Sequence, residues 1–185
     1  LHNLPGFKLG QIVVNRPERS FASASTGMVL KIQGKSSHAA EPEKGISPVI
    51  PTARIMQRLT ELPQSLDFFS LLTIIHVRIG EVAFGTSPGN ADIMATLRAY
   101  DDVGLDKLLK LARSEIDVIL SDTDLKHSLT LVEPFPATVN DENLRRTLLD
   151  TFIDEPVTLL DEPFRWSEDF GHFKRYCPSL FFGLG

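Results

Sequence analysis

The chain has 185 residues, enough for one hydrophobic core or two small ones, and its 42% hydrophobic and 23% charged content is that of an ordinary globular protein, not a disordered one. A formal net charge of −5 argues against nonspecific binding to nucleic acid or to an anionic membrane, and no apolar run approaches the roughly 20 residues that a bilayer span needs. Cys177 is the single cysteine, so there is no internal disulfide, a reducing compartment is allowed, and the expected location is cytoplasmic.

Taken in order, residues 9–14 predict a strand, followed by a polar stretch from Asn15 to Ser20. From Thr26 a second strand alternates, with Met28, Leu30 and Ile32 on one face and Val29, Lys31 and Gln33 on the other. It runs into the loop Gly34-Lys35-Ser36-Ser37-His38-Ala39-Ala40, where a histidine stands among small residues. Ser47-Pro48 then predicts a helix start, with serine as cap and Pro51 able to push the start later. Ala53, Met56, Leu59 and Leu62 give its apolar stripe and Pro63 its end. Residues 70–80 predict a strand, the turn-rich Phe84 to Asn90 follows, and residues 91–100 alternate as a half-buried strand. Leu105, Leu108, Ala112, Ile116 and Ile119 mark an amphipathic helix, and Leu125, His127, Leu129 and Leu131 an alternating strand.

From Thr26 to Glu133 the order is thus strand, helix, strand, strand, helix, strand. That order predicts an α+β unit: a four-stranded antiparallel sheet with both helices on one face, a ferredoxin-like arrangement with one face and one edge open for dimerisation. Glu133 to Ala137 reads as a crossover linker. Beyond it Asn140 is expected to cap a helix, Val157 to Leu160 to form a strand, Ser167 to cap a further helix, and Leu180 to Gly183 to form a last buried strand. The expected organisation is a catalytic-domain piece at 1–20, a lid or dimerisation domain at 21–134, and a second catalytic-domain piece at 135–185, the whole being part of a longer protein.

Four phrases occur in this order: His2-Asn3-Leu4-Pro5-Gly6, the Gly34 to Ala40 loop, the strand end Thr96-Leu97-Arg98, and Ser167-Glu168-Asp169-Phe170. Together they make the chain resemble, over essentially its whole length, the di-metal amidohydrolases that include aminoacylase, glutamate carboxypeptidase, hippurate hydrolase and the auxin–amino-acid conjugate hydrolases, the last two above all. The resemblance implies an α/β zinc-peptidase-like catalytic domain holding two divalent ions (zinc, or manganese or cobalt), interrupted by a lid that forms a homodimer. The reaction it implies, for the full-length protein, is hydrolysis of the amide bond of N-acyl amino acids or small peptides.

It also implies roles for individual residues. His2 falls on a metal ligand, although in this chain a frayed terminal histidine is the simpler reading. His38 falls on the lid histidine that reaches into the partner's active site and hydrogen-bonds the carbonyl oxygen as it becomes an oxyanion. Arg98 falls on the arginine that holds the substrate carboxylate, against the plainer reading of a strand-face ion pair. Glu168 falls near the substrate pocket, although a carboxylate at a helix start is favoured by the dipole alone. Many members of the resembled family pair that arginine with an asparagine thirteen positions earlier, and here the position is Gly85, a departure. His76, His127 and His172 are expected to be structural, and Cys177 a packed thiol. With His2 as the one ligand of the expected set, this chain by itself is expected to hold no metal tightly and to be inactive. The reading from another class is a non-catalytic dimerisation or binding module.

Overall fold

The computed structural model describes all 185 residues. In chain order they form strands β1 (His2–Asn3), β2 (Ile12–Asn15), β3 (Ala24–Gln33) and β4 (Ser37–His38), helix α1 (Val49–Glu61), and strands β5 (Ser70–Ile79), β6 (Thr86–Ser87) and β7 (Asn90–Ala99). Helix α2 (Asp102–Leu120), strand β8 (Lys126–Phe135), helix α3 (Glu142–Thr151) and strands β9 (Val157–Leu160) and β10 (Gly183–Leu184) complete the chain. Two compact units result: one of residues 1–25, 99–102 and 135–185, the other of residues 26–98 and 103–134.

The second unit holds the β-α-β-β-α-β run. Its sheet has the strand order β5-β7-β3-β8, so β3 and β7 are central and β5 and β8 are edges. The alternation read in the sequence becomes burial. Met28, Leu30 and Ile32 of β3 and Ala91, Ile93, Ala95 and Leu97 of β7 are at most 2% exposed. Facing them, α1 buries Thr52, Ile55 and Leu59, and α2 buries Leu105, Leu108, Ala112 and Ile116. Each fully buried Leu or Ile contributes about 1.5–3 kcal/mol, which makes this sheet–helix layer the core of the unit. The helices are joined at the surface by Arg58, whose Nε and Nη2 donate to the two oxygens of Glu115 at 3.1 and 3.0 Å. That hydrogen-bonded fork holds the Glu115 carboxyl below the usual carboxylate range.

In the first unit the sheet order is β1-β10-β2-β9, with β2 parallel to β9 and antiparallel to β10. All four residues of β2 are buried, because both of its faces are covered. Val13 packs with Leu4, Phe21, Ala22 and Phe181 on one face, and Ile12 and Val14 with Leu148 on the other. Phe21 is fully buried against Phe164, Trp166 and Phe181, with ring centroids 5.3–6.0 Å apart. These aromatic contacts draw residues 21–25 into the first unit, so the junction lies at Ser25–Thr26 rather than after Ser20.

Several local expectations are corrected. Pro48, not Ser47, is the N-cap of α1, and Pro51 lies inside the first turn, where a missing N–H costs nothing. Asp141, not Asn140, caps α3, its carboxylate accepting from the amides of Asn143 and Leu144 at 3.0 Å. Asn140 instead exchanges bonds with the backbone of Phe181 and donates to Asn15 Oδ1 at 2.5 Å, tying three segments of the first unit. The residues after Ser167 form a 3-10 turn, Asp169–Arg175, preceded by Glu168 and without a side-chain cap. The expected linker from Glu133 is still strand up to Phe135, and the first strand starts at Ile12 because Leu9 and Gly10 turn in solvent.

Candidate functional site

His38 is held by backbone. Its two-residue strand β4 pairs antiparallel with β6, Ser37 opposite Ser87 and His38 opposite Thr86. The Ala39 amide donates to the Gly85 carbonyl at 3.0 Å, the Gly34 amide to Gly89 at 2.8 Å, and Lys35 and Ile46 exchange bonds at 3.0 and 2.8 Å. The approach is close enough to require glycine at two points. A Cβ on Gly34 would overlap the Ile46 carbonyl oxygen, and one on Gly89 would overlap the Ser36 amide. A cleft of about 440 Å³ opens beside this pairing, lined among others by Gln33, Ser36, Glu81, Ala83, Thr86 and Asn90.

The imidazole itself is exposed, and its Nδ1 accepts a hydrogen bond from the Ala40 amide at 3.1 Å. That bond selects the tautomer: a neutral His38 ring carries its proton on Nε2, the nitrogen left to face outward as a donor. A short turn closed by Glu41 and Lys44, 2.5 Å apart, follows the histidine and keeps the loop compact.

Arg98 is half-buried near the far end of β7, on the face shared by Asp92, Met94 and Thr96. The β4–β6 pairing abuts the opposite end of that strand, through the bond from Gly34 to Gly89 next to Asn90. Eight residues separate Asn90 from Arg98, a rise of roughly 26 Å at about 3.3 Å per residue. Within one copy the structure therefore keeps His38 and Arg98 apart. At Gly85 a Cβ would meet nothing within 4 Å, so the glycine answers no steric demand of the fold.

His2 and Glu168 are brought together in the first unit. Nδ1 of His2 stands 3.8 Å from Oε1 of Glu168, beyond hydrogen-bond range, and the ring leans on Trp166 with centroids 5.3 Å apart. One imidazole and one carboxylate are fewer than the three protein ligands of a catalytic zinc, and no group of three or more His, Cys, Asp or Glu is gathered anywhere in the chain. The residues present do not make a complete metal site, and no chemical step is derived through one. Among the residues read as structural, His127 bonds Asp117 at 2.9 Å. Cys177, expected to be packed, is exposed, because it follows the 3-10 turn at the surface with its Sγ only 3.9 Å from the Phe173 carbonyl. The β4–β6 pairing leaves no periodic pattern in the sequence. The glycines at Gly34 and Gly89, each bordering a strand, were its one visible signal.

Comparison with known proteins places this chain. The sequence profile of the peptidase dimerisation domain matches residues 23–124, and the chain belongs to that family, the dimerisation domain of the M20 peptidases. N-acetyldiaminopimelate deacetylase of Exiguobacterium sibiricum is 29% identical over 189 residues, covering 100% of this chain and 50% of that protein. An IAA-amino acid hydrolase of Arabidopsis thaliana is 28% identical over 177 residues, covering 90% of this chain and 39% of that protein. Among solved structures, a dinuclear metal-binding M20 peptidase of Bacillus subtilis superposes with a TM-score of 0.79 at 17% identity, over 100% of this chain and 46% of its own. That last likeness shows the fold alone. The chain spans about half the length of the curated relatives it matches.

Proposed function

We propose that the whole protein is a metal-dependent amidohydrolase that cleaves the amide bond of N-acyl amino acids as a homodimer, in a reducing, cytoplasmic setting. The observation that carries this reading is the anchored presentation of His38: a backbone-clamped loop with Nδ1 occupied, so that Nε2–H is the outward donor. A hydrolysis that passes through a tetrahedral oxyanion needs such a preorganised donor, and one donor is worth about 2.7–4 kcal/mol of barrier. The names of the relatives, a deacetylase and an amino-acid conjugate hydrolase, support the same substrate class.

In this reading Arg98 grips the substrate carboxylate with its planar guanidinium and Glu168 lines the pocket. In the whole protein His2 would be one ligand of a centre of two divalent ions, which would polarise the carbonyl and activate water. Because His38 and Arg98 of one copy are at opposite ends of β7, one substrate is met by Arg98 of one copy and His38 of the other. Hydrolysis of N-acyl amino acids by the full-length protein tests the assignment: His38→Ala should lower kcat by roughly 10²–10³ fold with metal content unchanged. A normal kcat in that variant would contradict it. A second reading, a binding or dimerisation module without catalysis, is favoured by the two-donor set at His2 and Glu168. It predicts that the full-length protein hydrolyses none of these substrates.

A further inference from the structure

The cleft beside the His38 loop is polar, and its charge has one sign. Gln33, Ser36, Thr86, Ser87 and Asn90 bring amides and hydroxyls to it, and none of these side chains is hydrogen-bonded elsewhere in the chain. Glu81 is the one ionisable group in the lining. No lysine, arginine or histidine lines the cleft, and Lys35, although it stands between two lining residues in sequence, is not among them. The cation that Glu81 does meet offsets its charge only in part. Arg78 stands 3.6 Å from Glu81 and 3.4 Å from Asp92, both longer than a good hydrogen bond. One guanidinium divided between two carboxylates leaves a unit of negative charge at the cleft. The cleft also adjoins the histidine. Thr86, one of its lining residues, stands directly opposite His38 in the β4–β6 pairing, where the two side chains share a face with Cβ atoms about 4.5–5.5 Å apart.

We propose that this cleft is the subsite for the side chain of the substrate's amino acid, and that Glu81 selects side chains ending in an ammonium group, as in N-acyl derivatives of lysine or ornithine. This rests on the reading of His38 as the oxyanion donor, which brings the scissile carbonyl next to the cleft. An N-acyl amino acid carries its variable charge in that side chain, since its α-amino group is acylated and its α-carboxylate is held by Arg98. An ammonium is a compact cation with three donors and no acceptor, and the lining offers it the Glu81 carboxylate among amide and hydroxyl oxygens. A side chain ending in a carboxylate meets the uncompensated negative charge and is repelled. An alkyl side chain strips water from the polar lining and gives it nothing to bond.

The test uses the full-length protein and the Nα-acetyl derivatives of lysine, norleucine and 2-aminoadipate, whose side chains are of similar length and end in an ammonium, a methyl and a carboxylate. The lysine derivative should have the highest kcat/KM, about 5-fold or more above norleucine, and the aminoadipate derivative the lowest. Glu81 is 74% exposed, so Glu81→Gln keeps the shape of the side chain without disturbing the core. It should cut the lysine value about 5-fold or more, change the norleucine value less than about 2-fold and raise the aminoadipate value. In the unsubstituted protein the lysine preference should shrink as ionic strength rises. No preference for lysine, or an equal effect of Glu81→Gln on all three substrates, would overturn the proposal. His38→Ala, run in parallel, should depress all three alike and keep their order. If it does and Glu81→Gln is flat, only the subsite falls. If His38→Ala is normal while Glu81→Gln still abolishes the lysine preference, the oxyanion reading falls and the subsite stands. No hydrolysis of any of the three by the unsubstituted protein overturns both.

Discussion

His38 and Arg98 belong to one unit of the chain yet stand at opposite ends of β7, the histidine on the β4–β6 pairing beside Asn90 and the arginine eight residues along the strand. From Asn90 to Arg98 the strand rises roughly 26 Å at about 3.3 Å per residue, longer than an acylated amino acid, so in the proposed function one copy would supply the arginine and the other the histidine. The open edges β5 and β8 give a second copy somewhere to pair.

The first prediction concerns Arg98. In the full-length protein Arg98→Ala should raise KM by about 10–150 fold, the equivalent of losing a charge-assisted bond of roughly 1.5–3 kcal/mol, with a smaller effect on kcat. Arg98→Lys should recover little, because an ammonium does not reproduce the two parallel bonds of a guanidinium. Steady-state kinetics on an N-acyl amino acid and on its uncharged amide check this, and the amide should be insensitive to both substitutions.

The second concerns the clamp. Gly89→Ala places a methyl group on the Ser36 amide, and Gly34→Ala places one on the Ile46 carbonyl. Either should cost about 1–3 kcal/mol of stability in urea unfolding and lower kcat while leaving metal content intact, since the histidine is displaced with its loop. Unchanged kinetics in a folded Gly89→Ala protein would show that His38 needs no such support.

How much of this was legible beforehand follows from periodicity. Met28 to Ile32, Ala91 to Leu97 and Leu105 to Ile116 repeat at two or about 3.6 residues, so the sheet, both long helices and their order could be read directly. The β4–β6 pairing could not. Two residues of Ser-His against two of Thr-Ser have no period, and their partnership across some fifty positions is a property of the folded backbone. The same blindness moved the cap of α3 by one residue, because Asn140 and Asp141 are equally good caps and only the pull of Asn15 and Phe181 on Asn140 decides between them. Phe21 was assigned to the wrong unit because burial of an aromatic depends on partners more than a hundred residues away, Phe164, Trp166 and Phe181.

A third prediction follows from Arg58 and Glu115. The folded state depresses the Glu115 carboxyl, so its stabilising contribution is fully present above the unfolded value of about 4.3 and is lost as pH falls through the lower folded value. Glu115→Gln should therefore destabilise the protein at pH 7, and its difference from the unsubstituted protein should shrink as the pH drops below about 4. Urea midpoints at pH 7 and pH 3 measure both; a difference that stays constant would remove the ion pair from the account.

A fourth concerns metal. The 185-residue chain alone offers His2 with Glu168 nearby and no third donor, so elemental analysis after dialysis against zinc should find well under one equivalent. A full equivalent that survives dialysis would mean that the chain builds a site from residues not gathered in this fold.

The central claim, that one copy's histidine works with the other copy's arginine, is tested most directly by mixing two crippled full-length proteins. One carries His38→Ala, the other Arg98→Ala, and each alone should be nearly inactive at substrate concentrations far below KM. After dissociation and reassembly together, half of the dimers are mixed. Each mixed dimer holds one site with an intact arginine from the first chain and an intact histidine from the second, so about a quarter of the unsubstituted activity should return. If both groups acted from the same copy, every site in the mixture would lack one of them, and the mixed sample would be no more active than its two components measured apart.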